Sequence, residues 1–148
     1  MTRSAQQRRA DLIERLETAD NIWVATASGD GNVHSVPFSL AWDGNRIMVA
    51  TPDSTVTARN CAETGRARAH LDSSYDVAVI DGDVETVPFL NLTPTEKRSF
   101  VERVGWDPSN EPQNWVALYV TPTRVQVWSG VEEIAARDIM IDGRWVSD

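Results

Sequence analysis

The spacing of apolar positions changes along this chain. Over residues 6–18, Leu12, Ile13 and Leu16 share one helical face, with Arg8, Arg9, Glu14, Arg15 and Glu17 elsewhere. That spacing predicts an amphipathic helix, stopped by Asp20-Asn21. From residue 22 the period falls to two. Residues 22–27 are rich in β-formers. Asp30-Gly31 suits the positive φ of a hairpin turn. Residues 33–42 form a second predicted strand, in which Pro37 marks an edge, bulge or kink. Asp43-Gly44-Asn45 makes another tight turn into a third strand over residues 46–50, completing a meander.

Thr51-Pro52-Asp53-Ser54 breaks the sheet, and residues 55–63 predict a short helix ended by Thr64-Gly65. Residues 66–71 alternate Arg66, Arg68 and His70 with Ala67, Ala69 and Leu71, a fourth strand. Residues 76–87 make a fifth. Thr93-Pro94-Thr95-Glu96 is an N-cap followed by Pro at the first helical position and an acid. The helix it opens carries Phe100, Val101 and Val104 on one face. Residues 115–128 predict a long last strand interrupted at Thr121-Pro122, and residues 138–145 a small hairpin or edge segment. The fold class is mainly β. About six strands with hairpin links must deal with their edges, and closure into an antiparallel barrel does so. An immunoglobulin-like sandwich fits less well, because the helices fall between strands. No GxGxxG or GxxxxGK[ST] string supports a Rossmann or P-loop fold.

At 148 residues the chain has the size of a single domain, residues 1–148. A net charge of -8 argues against nucleic acid or an anionic membrane as a general partner. Cys61 is the only cysteine, and His34 and His70 lie far apart without a CxxC, so no disulfide or metal site is expected. No apolar run approaches the roughly 20 residues of a membrane span. The first residues lack the apolar stretch of a signal peptide. A cytoplasmic protein is the expectation.

Few side chains advertise chemistry. His34 is the first candidate, set against the commoner packing or surface role of a lone strand histidine. His70 falls on a charged, solvated face. Cys61 reads as a small packing residue. Asp76, Asp81, Asp83 and Glu85 read as solvated edge charges, not as paired catalytic acids. The six tryptophans point to core or interface, with Trp106 a weak candidate for a substrate pocket. No catalytic residue is assigned.

Several strings, taken in order, resemble the flavin-binding split-barrel superfamily of pyridoxamine 5′-phosphate oxidase, and most of all its small FMN- or deazaflavin-dependent members. They are Ala25-Thr26 with Asp30-Gly31, His34-Ser35-Val36-Pro37, Trp42-Asp43-Gly44, Val49-Ala50-Thr51, Ala58-Arg59-Asn60, Gly65-Arg66-Ala67, the Gly82-Asp83-Val84-Glu85 strand, Thr121-Pro122-Thr123-Arg124-Val125 and Asp142-Gly143-Arg144-Trp145. Their order and spacing cover nearly the whole chain, although no single string is specific. The resemblance implies a six-stranded antiparallel split β-barrel with short peripheral helices. It also implies a homodimer with two cofactor sites between subunits, and FMN or the deazaflavin coenzyme (F-420) as cofactor. The ring would pack on His34, Ser35, Val36, Pro37, Phe38 and Ser39. The phosphate would lie near Thr51, Ser54, Thr55, Thr57 and Asn60. A helix start placed there attracts phosphate on physical grounds as well.

This chain departs from the family pattern at the phosphate arm. Related sequences carry lysine at the position of Thr57 and often arginine or serine at Thr55, so a charge-assisted phosphate contact is missing. The leading expectation is an oxidoreductase that moves a hydride to or from a small organic substrate. The alternatives are a non-catalytic holder of flavin, haem or another planar ligand, and a cofactor-free biosynthetic enzyme on the same barrel.

Overall fold

The computed structural model describes residues 2–146. Helix α1 (Ala5–Thr18) is capped by Ser4, whose side chain accepts from the Gln7 N–H, and it buries Leu12 and Leu16. Strands β1 (Asn21–Ala27) and β2 (Val33–Ser39) pair antiparallel as the expected hairpin, with Ile22 opposite Phe38 and Thr26 opposite His34. Gly31 takes φ +87° in the turn between them, where a side chain would be strained.

The predicted strand over residues 33–42 is in fact two strands. It breaks at the fully buried Leu40 and resumes as β3 (Ala41–Trp42). β3 pairs with β4 (Ile47–Pro52), not with β1. Helix α2 (Val56–Thr64), β5 (Arg66–His70), β6 (Val77–Pro88), α3 (Pro94–Val104) and β7 (Trp115–Trp128) follow. A one-turn α4 (Val131–Ile134) leads to the hairpin β8 (Asp138–Ile141) and β9 (Arg144–Trp145). The expected count of six strands is therefore corrected to nine among the described residues. The second predicted strand divides at Leu40, and the tail pairs onto β7 as a two-stranded extension.

The sheet runs β2-β1-β5-β6-β7-β4-β3. Its two ends, β2 and β3, are halves of one chain segment. The sheet therefore curls back toward itself, and Leu40 lies where its ends join. Two cores result. The larger fills the inside of the curl, with Leu12 and Leu16 of α1, Ile22, Val24, Ile47, Val49, Ile80, Leu118 and Ala58 and Cys61 of α2. The smaller lies on the opposite face, where Met48, Ala50, Ala117 and Tyr119 meet Phe89, Leu92 and Phe100 under α3. The N-cap expected for α3 is present, and Thr93 and Glu96 complete it as a capping box.

β7 serves both cores, and the expected interruption near Pro122 proves to be a bulge instead. Gly82 pairs with Pro122 and Asp81 with Arg124, which leaves Thr123 as the extra residue. The extra residue reverses the parity of β7. Val116, Leu118 and Val120 face the main core before it, and Val125 and Val127 face that core after it. Gly82 is required here, because a Cβ would sit 2.5 Å from the Thr121 carbonyl oxygen.

A charged clamp ties the chain's two ends together. Glu133 of α4 is buried and accepts from the Arg3 backbone N–H at 2.8 Å, the Arg3 guanidinium at 2.9 Å and the Ser129 N–H at 2.8 Å. Arg3 also pairs with Asp11 at 2.9 Å and with Asp76 at 3.1 Å. Hydrogen bonds from the Arg3 side chain, opposed by burial, hold the Glu133 carboxyl down at about 2. The folded value lies below the unfolded one. The clamp therefore stabilises fully above the ordinary carboxylate value of 4.5 and is lost as pH falls toward about 2. Glu133→Gln should destabilise the fold by about 3 kcal/mol at neutral pH, at the low end for breaking a buried ion pair. Its urea midpoint should also fall less steeply than that of wild type across the same acid window. Parallel acid-titration curves for the two proteins would refute the assignment.

Candidate functional site

The residues expected around a cofactor fall into two neighbouring groups. The first is β2. It lies at the end of the sheet path, pairs only with β1, and also touches α2 and β4. Its residues alternate. Val33, Ser35 and Pro37 are exposed, and His34, Val36, Phe38 and Ser39 are half-buried. The outer edge of β2 bears no ladder among the described residues, so the backbone groups of alternate residues on that edge lack strand partners. His34 sits opposite Thr26, whose hydroxyl accepts from the Asn60 amide at 3.1 Å. This contact ties α2 to β1, the strand on which β2 pairs.

The second group is the junction of β4 and α2, and there the hydroxyls hold the fold together. Thr55 is the N-cap of α2. Its Oγ1 accepts from the Ala58 N–H at 3.2 Å and donates to the Pro52 carbonyl at 3.0 Å. Thr51 Oγ1 lies 3.0 Å from Thr55 Oγ1 and, with the Thr55 proton directed at Pro52, is the donor of that pair. Thr51, Thr57 and Asn60 are all buried, Thr57 with 1% exposure. Ser54 is exposed, as are Val56 and Arg59. The junction therefore presents Ser54 and the first turn of α2, whose N–H groups and dipole favour an anion. The exposed Asp53 beside them opposes one. Thr57, where the resemblance led lysine to be expected, points into protein, so Thr57→Lys would bury an ammonium group there.

Cationic side chains lie on the outer face of β5, where sequence reasoning placed a solvated strand. Arg68 grips Asp81 through two contacts, at 2.6 and 2.9 Å. Arg66 is exposed in the next outward position. Both line a shallow groove of about 440 Å³ with Ala25, Ala27, Val33 and Gly82. The groove adjoins the start of β2. His70 is not simply solvated, because its ring stacks on Trp23 at 6.1 Å and 1° between planes. The alternation of Arg66, Arg68 and His70 was visible in the sequence, but their grouping with β1 and β2 depends on strand order.

The remaining candidates settle into structural surroundings. Cys61 is in the main core, and burial pushes its thiol up to about 11, so it is no nucleophile at neutral pH. Asp76 joins Arg3 and Arg15, Asp81 joins Arg68, and Glu85 reaches Arg46 at 3.9 Å. Trp106 packs edge-on between Phe100 and Trp115, with ring centroids 6.5 and 5.0 Å away. All six tryptophans are half-buried. Among the described residues, no three His, Cys, Asp or Glu side chains are grouped to hold a metal ion, and no helix is long and apolar enough to cross a membrane.

No family model matches the chain, and no curated protein matches it. Solved structures match it well. One named F420 reductase superimposes with a TM-score of 0.62 at 22% identity, covering 76% of this chain and 93% of that one. HutZ, the haem storage protein from Vibrio cholerae, gives 0.67 at 13% identity over 80% and 92%. A pyridoxamine 5′-phosphate oxidase-related, FMN-binding protein from Nostoc punctiforme gives 0.53 at 14% identity over 83% and 79%. At these identities the likeness shows the fold: a curled antiparallel sheet of the pyridoxamine 5′-phosphate oxidase-like kind.

The α2 cap is directly testable. Thr55→Ala removes an N-cap acceptor and the partner of Thr51, and should lower stability by about 1–2 kcal/mol. Thr55→Ser, which keeps the oxygen, should recover most of that loss in chemical denaturation.

Proposed function

We propose that this protein is a homodimeric flavin- or deazaflavin-dependent oxidoreductase that moves a hydride to or from a small organic substrate. One observation carries the reading: β2, whose outer edge is unpaired among the described residues, also touches α2 and β4, on a fold shared with an F420 reductase and an FMN-binding protein. The donors fit such a group in kind. Backbone N–H and C=O groups along His34, Ser35, Val36, Pro37, Phe38 and Ser39 suit the polar edge of a ring, except that Pro37 has no N–H to give. Ser54 and the first turn of α2 suit its phosphate. Thr51, Thr55, Thr57 and Asn60 serve as the scaffold of that arm and need not touch it.

A bound flavin-type group supplies the hydride chemistry, while the protein supplies position and electrostatics. In this chain β2 orients the ring and the helix dipole holds the anion. A second copy closes the open side against water. Neither Thr55 nor Thr57 supplies positive charge, so it comes from Arg59, Arg66 or a partner's arginine. The exposed Val33 and Pro37, with Ala25 and Ala27 beside them, form the face on which two copies would meet.

A second reading is a non-catalytic holder of flavin, haem or another planar ligand. The absence of a basic side chain at Thr55 and Thr57 favours it. Titration with FMN and then with the deazaflavin coenzyme, followed by tryptophan quenching, separates binding from no binding. Reduction of the bound group by a hydride donor, then reoxidation by candidate acceptors, separates enzyme from holder. No binding of either cofactor would end the oxidoreductase reading.

Val56 is 39% exposed at the first position of α2, which makes it the right place to add charge. Val56→Lys should tighten FMN roughly tenfold, on the order of 1–2 kcal/mol, by a charge-assisted contact. The gain should shrink with added salt. An unchanged affinity would place the phosphate elsewhere. Light scattering should give twice the chain mass of 16.4 kDa, and a monomer would remove the shared site.

A further inference from the structure

A cleft of about 460 Å³ opens between α3 and the strands beneath it. It lies on the other side of β4 from the α2 junction. Ile47 and Val49 point into the main core, whereas Met48 and Ala50 point toward α3. The cleft is thus separate, within this chain, from the proposed cofactor arm, and its assignment does not rest on the cofactor reading. Its volume is within the usual range for a small-molecule site.

The floor is apolar, made by Met48, Phe100 and the Tyr119 ring. The rim is charged, and its acids are already engaged. Glu96 accepts from the Tyr119 hydroxyl at 2.8 Å and the Thr93 N–H at 3.1 Å, and these bonds hold its carboxyl below the usual range. Asp43 accepts from the backbone N–H groups of Asn45 and Arg46 and from the Arg46 guanidinium. Arg46 in turn lies 3.9 Å over the Tyr119 ring. Arg103 differs. It donates to the Ala19 carbonyl and makes no ion pair among the described residues. Ser99 stands one turn before it on α3 and also lines the cleft.

An apolar floor beside one unmatched cation and a hydroxyl is complementary to an amphipathic monoanion. We infer that this cleft binds a small organic carboxylate with an apolar body, its head group at Arg103 and Ser99 and its body on Met48, Phe100 and Tyr119. A neutral analogue of the same shape lacks the charge term and binds more weakly. A polyanion is disfavoured by Asp43 and Glu96 on the opposite rim.

The test uses the full chain, with 4-phenylbutyrate and 4-phenylbutyramide as probes in calorimetric titrations, and with residue-resolved NMR shifts to locate them. The acid should bind at least tenfold more tightly than the amide and perturb α3 together with Met48 and Tyr119. Arg103→Gln should remove the preference for the acid while leaving amide binding unchanged. Ser99→Phe should fill the cleft and abolish both, with FMN affinity or, if FMN does not bind, the thermal midpoint serving as a check that the fold is kept. The proposal is overturned if neither probe binds wild type, if acid and amide bind equally, if Arg103→Gln keeps the preference, or if the shifts map to β2 and α2 instead.

Discussion

At the crossing of β6 and β7, the backbone of Gly82 comes so close to the Thr121 carbonyl that no side chain fits between them. That approach accommodates the bulge at Thr123, and the bulge is what allows one strand of fourteen residues to face two cores. Before it, the even-numbered residues of β7 fill the curl while Ala117 and Tyr119 support α3. After it, the odd-numbered Val125 and Val127 return to the same interior. Without the extra residue, either half of β7 would present its apolar side to the wrong surface, because side chains alternate along a strand. The α3 cleft, with Tyr119 in its floor, follows from that switch.

The same economy of structure shapes the candidate cofactor region. The turn between β4 and α2 is held by Thr51, Thr55 and Pro52, and α2 is tied to β1 by Asn60 and Thr26. Hydroxyls in those roles make a rigid helix start but leave few side-chain donors pointing outward. What the region presents outward is Ser54, the first turn of α2 and the unpaired edge of β2. Exposed cations on these segments include Arg59 of α2 and Arg66 on the neighbouring face. The fold is common to oxidoreductases and to a haem storage protein, so fold alone does not choose among activities.

Local chemistry determined much of this protein in advance. Leu12 and Leu16 set the face of α1, Gly31 and Gly44 set the two early turns, and Thr93 with Glu96 set the start of α3. These signals are legible because each depends on residues within a turn or two of one another. The approximate limits of the long strands were legible for the same reason, through alternation. The break at Leu40 was not. A strand that leaves one partner and joins another keeps its alternating pattern throughout, and only the pairing of β2 with β1 and of β3 with β4 reveals the change.

The candidate site divides along the same line. The family resemblance implied a ring at β2 beside a phosphate at the β4–α2 turn, and the structure does bring those two segments together. Burial decided the roles within them. Thr57 and Asn60 face protein while Ser54 and Val56 face outward, a distinction set by how α2 packs onto β1 and the main core. Arg103, thirty-odd positions beyond β5 and on another helix, reaches the cleft beside Arg46 only because β3, β4 and β7 curl beneath α3. Sequence alone determined the elements, since their signals are local in the chain. Tertiary structure alone decided which polar groups remain available to a ligand, since that depends on contacts between residues far apart in it.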